Sequence, residues 1–211
     1  MVFLNRELAC KIEGDVREGN KQLVEAWNAS CFGTTAKAIE FDNAIAIYGG
    51  SKCPINETIG LGMSSPVEDL TLEAIERFYH SNYHPAVIRV CPLADSSLVE
   101  LTQRRGYALN GFSYRWILDL ESWESVFEEQ DSRVRIAEAS EEMEWARAIA
   151  AGFDDADDVP AGRNLDLERA FFRMQSSIPV LAIENGNVAA GGILAVVAHF
   201  NWRRRSYRQC R

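Results

Sequence analysis

The stretch Val180-Leu-Ala-Ile-Glu-Asn-Gly-Asn-Val-Ala-Ala-Gly-Gly-Ile-Leu-Ala-Val-Val197 sets two apolar runs on either side of Asn185-Gly186. An Asn-Gly pair supplies the two positive-φ positions of a type I′ turn, so the stretch reads as a β-hairpin. Its second arm, Val188 to Val197, is wholly apolar, as a central strand covered on both faces would be. A central strand needs a neighbour on its far side. The sequence instead passes into His199-Phe-Asn-Trp-Arg-Arg-Arg205, a composition unlike anything before it. The expectation is a sheet that stops where another strand belongs.

Outward from the hairpin, the 211 residues are 47% apolar and 25% charged, the balance of a globular chain with a sizeable core. No run approaches the roughly 18 apolar residues of a membrane span. Met1-Val-Phe-Leu-Asn-Arg-Glu7 lacks a basic segment followed by an apolar one, so no signal peptide is read and a cytoplasmic location is expected. The net charge of −9 argues against a general nucleic-acid binder. Arg203, Arg204, Arg205, Arg208 and Arg211 stand in the last segment without an acid, which leaves −14 for the remainder. Cys10, Cys31, Cys53, Cys91 and Cys210 are odd in number and scattered, which favours free thiols over disulfides or a zinc site.

Earlier in the chain, Leu4, Leu8, Ile12 and Val16 recur every four residues, and Leu23, Val24 and Trp27 resume the stripe. They predict one amphipathic helix, or two broken between Gly14 and Gly19. Ala36 to Tyr48 reads as two short strands joined near Asp42-Asn43, and Glu57 to Leu61 as a third. A helix follows with Leu72, Ile75, Phe78 or Tyr79, and Asn82 or Tyr83 on one face, capped by Asp69 or Thr71. Ala86 to Leu93 reads as a strand. Asp95 caps a short helix with Leu98 and Leu101 inward and Gly106 at its end. Tyr107 to Leu120 reads as a long strand with Phe112, Tyr114 and Trp116 on one face of the pleat. Glu121 to Arg133 is acidic and poor in aliphatic residues, a linker. Val134 to Ala139 restarts a strand, and Ser140 caps a helix with Met143, Ala146, Ile149 and Phe153 inward. Asp154 to Gly162 is a loop, and Leu167, Phe171 and Met174 line a helix before the hairpin.

Two stretches together resemble the GNAT superfamily of N-acetyltransferases, in the form with two such domains in tandem. Val90-Cys-Pro-Leu-Ala-Asp-Ser-Ser-Leu-Val-Glu-Leu-Thr-Gln-Arg-Arg-Gly-Tyr-Ala-Leu-Asn-Gly-Phe112 is similar to the closing segment of a GNAT domain, where a short helix ends in Gly and an aromatic before the last long strand. Val134 to Val197, strand–helix–helix–hairpin, is similar to the opening of a second one. The resemblance implies an α/β fold with a GNAT-like mixed sheet and flanking helices. It implies a first small domain over residues 1–120, a linker at 121–133, an incomplete second domain over 134–197 and a basic tail at 198–211. It further implies acetyl transfer from acetyl-CoA to a small-molecule or peptide amine.

The family holds the acetyl-CoA pyrophosphate on a Gln/Arg-x-x-Gly-x-Gly/Ala loop that opens a helix, where free backbone N–H groups meet the phosphates. By resemblance that loop should come just after Val197, where Arg203-Arg-Arg-Ser-Tyr-Arg-Gln-Cys-Arg211 stands without a glycine. Gly49-Gly50 and Gly60-Leu-Gly62 open no helix at the needed spacing. The expectation is a chain whose reading frame has shifted near Ala198, or a truncated or shortened relative. In each case it is catalytically incomplete and has no tight hold on acetyl-CoA. No catalytic and no cofactor-binding residue is therefore assigned.

Other candidates have plainer readings beside them. His80 and His84 at i, i+4 could offer two imidazoles to a metal, but Asn82 and Pro85 end the helix there, and no metal ligand set is assigned. Asp154-Asp-Ala-Asp-Asp158 lacks the alternating ligands of a calcium loop and reads as a solvated acidic loop. Glu138, Glu141, Glu142 and Glu144 suit a helix N-terminus. Ser51, Ser64 and Ser65 lie in turns without a nucleophile-elbow context, and Cys91 sits in an apolar run as a structural thiol. Trp202 and Tyr207 among the tail arginines could grip phosphates, though the acidic chain argues for self-contact instead. Finally, an apolar edge at Val188 to Val197 invites pairing with another chain, so a homodimer through that edge is expected, or a partner held there or on the tail.

Overall fold

A computed structural model describes residues 5–118, 133–156, 158–159 and 162–197. The 121–133 linker, save Arg133, and the 198–211 tail lie outside the described residues. Among these the architecture is mixed α/β, with five α-helices and two three-stranded antiparallel sheets.

α1 (Arg6–Ala29) is one unbroken helix. Asn5 caps it, its side chain accepting from the Leu8 N–H at 2.8 Å. Gly14 and Gly19 each cost roughly 1 kcal/mol against alanine, too little to break a helix whose Leu23 and Trp27 are buried against two neighbouring layers. β1 (Lys37–Phe41) and β2 (Ala44–Tyr48) pair antiparallel around Asp42-Asn43, and β3 (Thr58–Ile59) adds to β2. Ala44 to Ile47 are all buried, because α1 covers one face of this sheet and α2 (Asp69–His80) with α3 (Ser96–Arg104) the other.

The helix readings hold in this half except at the end of α2, which stops at His80 before Asn82 and leaves Tyr83 exposed at a positive φ. Leu72, Ile75 and Tyr79 face inward on α2, and Leu98 and Leu101 on α3. Asp95 caps α3 through the Ser97 N–H, and Gly106 takes φ +74° beyond its end. Asp69 is the first helical residue of α2 rather than its cap, which is Glu68. Its carboxylate ties the start of α2 to Arg105 (2.9 Å) and Arg104 at the end of α3.

Two expected strands are not strands. Ala86 to Leu93 contributes a single parallel bridge, Ile88 opposite Thr58. The Thr58 N–H donates to Val87 O, and the Arg89 N–H to Thr58 O. With β3 only two residues long there is no edge for a longer ladder. Tyr107 to Leu118 runs without a ladder among the described residues, its Phe112, Tyr114 and Trp116 turned to solvent. Residues 119 and 120 of that expected strand lie outside the description. Alternating β-formers give a strand only where an edge is free to receive them.

β4 (Val134–Ile136), β5 (Ser177–Glu184) and β6 (Asn187–Ala195) form the second sheet in that order. The hairpin turns at Asn185 (φ 52°) and Gly186 (φ 80°), the two positive-φ positions expected. Among the described residues β6 is an edge, not a central strand, and six of its nine residues are exposed. α4 (Glu142–Phe153) and α5 (Asp166–Arg173) pack on this sheet. Ser140 is not the cap of α4. A 3₁₀ turn at Ala139–Glu141 precedes it, with Glu138 and Glu141 in a capping box. That turn rotates the helix face: Trp145, Ala146 and Ala150 go inward, while Met143 and Phe153 are exposed.

The two sheets meet through α1 and α5. Leu23, Trp27 and Ala36 from one side and Ala170 and Met174 from the other make a shared cluster. The Thr34 hydroxyl donates to Asp166 at 2.7 Å, and Arg169 lies 4.5 Å over the Phe32 ring. No helix among the described residues is long and apolar enough to cross a membrane.

Candidate functional site

Where α1, the β2–β3 connection and the α4–α5 pair come together they leave a cleft of about 940 Å³. Trp27, Ile55, Ile149, Leu167 and Phe171 give it apolar walls. Its rim is the segment Gly49-Gly-Ser-Lys-Cys-Pro-Ile55, held by the buried Asn56. The Gly49 N–H donates to Asn56 Oδ1 (2.8 Å), and Asn56 Nδ2 donates to Gly50 O (2.6 Å). Gly49 is required because a Cβ there would stand 2.7 Å from Cys53 Sγ. The loop is therefore rigid at its base, as a binding rim needs to be.

The polar floor of the cleft is internally paired. Arg163 donates to both oxygens of Asp154 (2.7 and 2.6 Å) and to Glu168 Oε1 (2.7 Å). The Glu168 carboxylate is the larger reason why the guanidinium pKa is raised, with Asp154 adding to it. Arg163 Nε and Glu168 Oε2 are buried without partners. They sit on the two members of one ion pair, so a small turn of the fork closes them into a bidentate contact. Burial pushes the Cys53 thiol up, and the Glu168 charge adds to this. Cys53 is thus a protonated thiol at neutral pH and a poor nucleophile. The cleft can accept an apolar body with a polar end; among its described residues there is no activated nucleophile.

The residues singled out in the sequence lie elsewhere or are engaged. His80 ends α2, and Tyr83 in a left-handed conformation (φ 56°) turns His84 away to pack on Tyr48 and Tyr79. The two imidazoles share no helical face. Among the described residues no group of three or more His, Cys, Asp or Glu side chains could hold a metal ion. Asp154, Asp155 and Asp158 are exposed, as expected of a solvated acidic loop, and Asp154 also pairs with Arg163. Glu141 is tied to Arg135, whose hydrogen bonds hold the carboxyl down at about 2. Glu142 accepts from Arg169 and Arg173, and Glu144 is exposed. Ser64 and Ser65 donate to Asp42, and Ser51 lies on the cleft rim. Cys91 is half-buried. Of the cleft residues, sequence reasoning missed Asn56, Arg163 and Glu168. Nothing in the sequence pattern marked Glu168, whose burial is a tertiary fact.

Two further features bear on function. Each described helix opens on a carboxylate: Glu7 in α1, Asp69 in α2, the Asp95 cap of α3, Glu142 and Glu144 in α4, Asp166 and Glu168 in α5. Those acids stand near the positive helix ends where phosphate oxygens would bind, and at α3 the Asp95 carboxylate itself accepts from a helix N–H. Neither glycine pair changes this. Gly49-Gly50 leads into the cleft rim, and Gly60 packs its Cα side against the Asn43 carbonyl. The other feature is the outer edge of β6, a nine-residue strand with no charged side chain whose only ladder among the described residues is to β5. No protein-family model matches the chain, and no curated protein or solved structure is similar to it.

Proposed function

We propose that the chain is a relative of the GNAT-type N-acetyltransferases that works as a partner-binding module, without acetyl-CoA, through the outer edge of β6. The observation that carries the reading is that edge. Alternate residues of the strand turn their N–H and C=O groups away from β5, and among the described residues no charge, proline or further strand lies on that edge, a bulge at Ala189 being its one interruption. Another strand is the natural ligand of such a surface, because main-chain hydrogen bonds supply affinity and alternate side chains specificity. The strand–helix–helix–hairpin order from β4 to β6 supports the GNAT relationship, and with it descent from enzymes that acetylate a small-molecule or peptide amine. A carboxylate in the cap or first turn of every described helix supports the loss of the acetyl-CoA step, since a pyrophosphate there would compete with it for the same cations and N–H groups.

Titration with acetyl-CoA in a calorimeter tests the second half of the reading. The expected result is no saturable heat at millimolar ligand, on the order of −4 kcal/mol or weaker. Micromolar affinity would overturn it and return the chain to the acetyl-transferring enzymes. Light scattering on the chain at rising concentration tests the first half. Association sensitive to a charge placed on β6 is expected, and a monomer at all concentrations refutes it.

A further inference from the structure

Two surfaces of this molecule are each one half of a strand pair. The first is the β6 edge. The second is the segment 107–118. Its Arg115 turns inward, the guanidinium 3.5 Å from the buried Glu13 carboxylate on α1. Phe112, Tyr114 and Trp116, on the alternate positions, are 83%, 86% and 95% exposed. The aromatics recur in the sequence with the period of a strand, yet every residue from 108 to 118 is exposed and no ladder holds this segment among the described residues. Three large aromatic rings in succession on a wetted surface are more than the scattered apolar exposure any protein shows.

We propose that segment 107–118 of one copy adds as a strand to β6 of a second copy, and that the exchange is reciprocal. The proposal rests on β6 being a docking edge and names its occupant. Charge permits the pairing, because β6 carries none and Arg115 is already neutralised by Glu13 within its own copy. Area requires reciprocity. Three aromatic side chains bury on the order of 450–750 Å², short of the roughly 800 Å² that each partner gives to a stable contact. A two-fold exchange, in which each copy both donates its aromatic segment and receives one, brings the sum into the stable range. Position allows it. Arg115 lies against α1 at Glu13, and Val197 lies 3.8 Å from where a Cβ on Gly19 would be. These points are about 9 Å apart along the helix. At 3.6 residues per turn they point roughly 120° apart around it, on neighbouring faces, and a single two-fold axis relates both contacts.

The test is sedimentation equilibrium on the full chain from about 1 μM to about 500 μM, where a contact of standard size is populated. A dimer is expected. F112S/Y114S/W116S and L194K/V196K both change exposed side chains and should keep the wild-type circular dichroism and melting temperature. Each should raise the dimer dissociation constant by at least about 100-fold. An equimolar mixture of the two variants should recover association, since it keeps one intact donor and acceptor pair. If the aromatic variant dimerises as the wild type does while the lysine variant does not, the edge reading stands and this proposal falls. If the wild type stays monomeric, or both variants dimerise fully, both fall. A second measurement holds even where a variant misfolds. Dilution of the wild type through dissociation should expose Trp116 to acrylamide quenching, and that change should vanish in W116F. Quenching that does not change with dissociation overturns the proposal.

Discussion

Replacing Leu23 by alanine removes the most enclosed aliphatic side chain of α1 from the cluster it shares with Trp27, Ala36, Ala170 and Met174. Leu23 is fully buried, so the transfer cost of the three lost carbons is about 2.4 kcal/mol at roughly 0.8 kcal/mol each. The cavity adds to that. The void would be walled by α1 on one side and α5 on the other, which are held by separate sheets and cannot both relax into it. The expected total is about 3–4 kcal/mol. In a chain of this size that lowers the melting temperature by roughly 6–16 °C. The more telling readout is where the loss is felt. Because α1 and α5 bury the same cluster, amide protection should fall in Asp166–Arg173 as well as in Arg6–Ala29. Urea unfolding followed by hydrogen exchange measures both. If L23A strips protection from α1 and the first sheet and leaves α5 untouched, the two halves do not share a core and the reasoning fails.

Gly60 sits at φ +84°, and a Cβ there would lie 2.4 Å from the Asn43 carbonyl oxygen, so Gly60→Ala should cost well over about 1 kcal/mol in urea unfolding; a neutral result would mean the β2–β3 turn adjusts freely. Burial pushes the Tyr79 phenol up to about 12 from its ordinary 10. The folded state thus holds the proton more tightly than the unfolded chain does. The resulting stability is complete below about pH 10 and is lost as pH rises towards 12. Denaturation midpoints along an alkaline series should show that limb, and Tyr79→Phe should make it shallower. An identical alkaline limb in the variant would contradict the burial argument.

The helices of the first half were legible because each carries its signals locally. Asp95 caps, Gly106 terminates, and Leu72, Ile75 and Leu98 repeat at helical spacing. The hairpin was legible for the same reason, since Asn185-Gly186 fixes a backbone geometry that few other pairs can adopt. The phase of α4 was not. The capping box of Glu138 and Glu141 inserts a 3₁₀ turn, and Trp145 then takes the core position that the sequence pattern assigned to Met143. The cleft was legible only in fragments. Gly49-Gly50 marked a turn, but Asn56, Arg163 and Glu168 become a site only when α5 is laid against α1.

The sequence by itself therefore determined which segments are helices and which residues turn the hairpin, because caps, glycines and apolar periods act over a few neighbouring residues. Tertiary structure alone decided whether a strand-forming segment becomes a strand. Tyr107 to Leu118 and β6 have the same β-forming character. One has no partner among the described residues and the other has a partner on one side, since a strand is completed by hydrogen bonds to a distant part of a chain that local sequence does not encode.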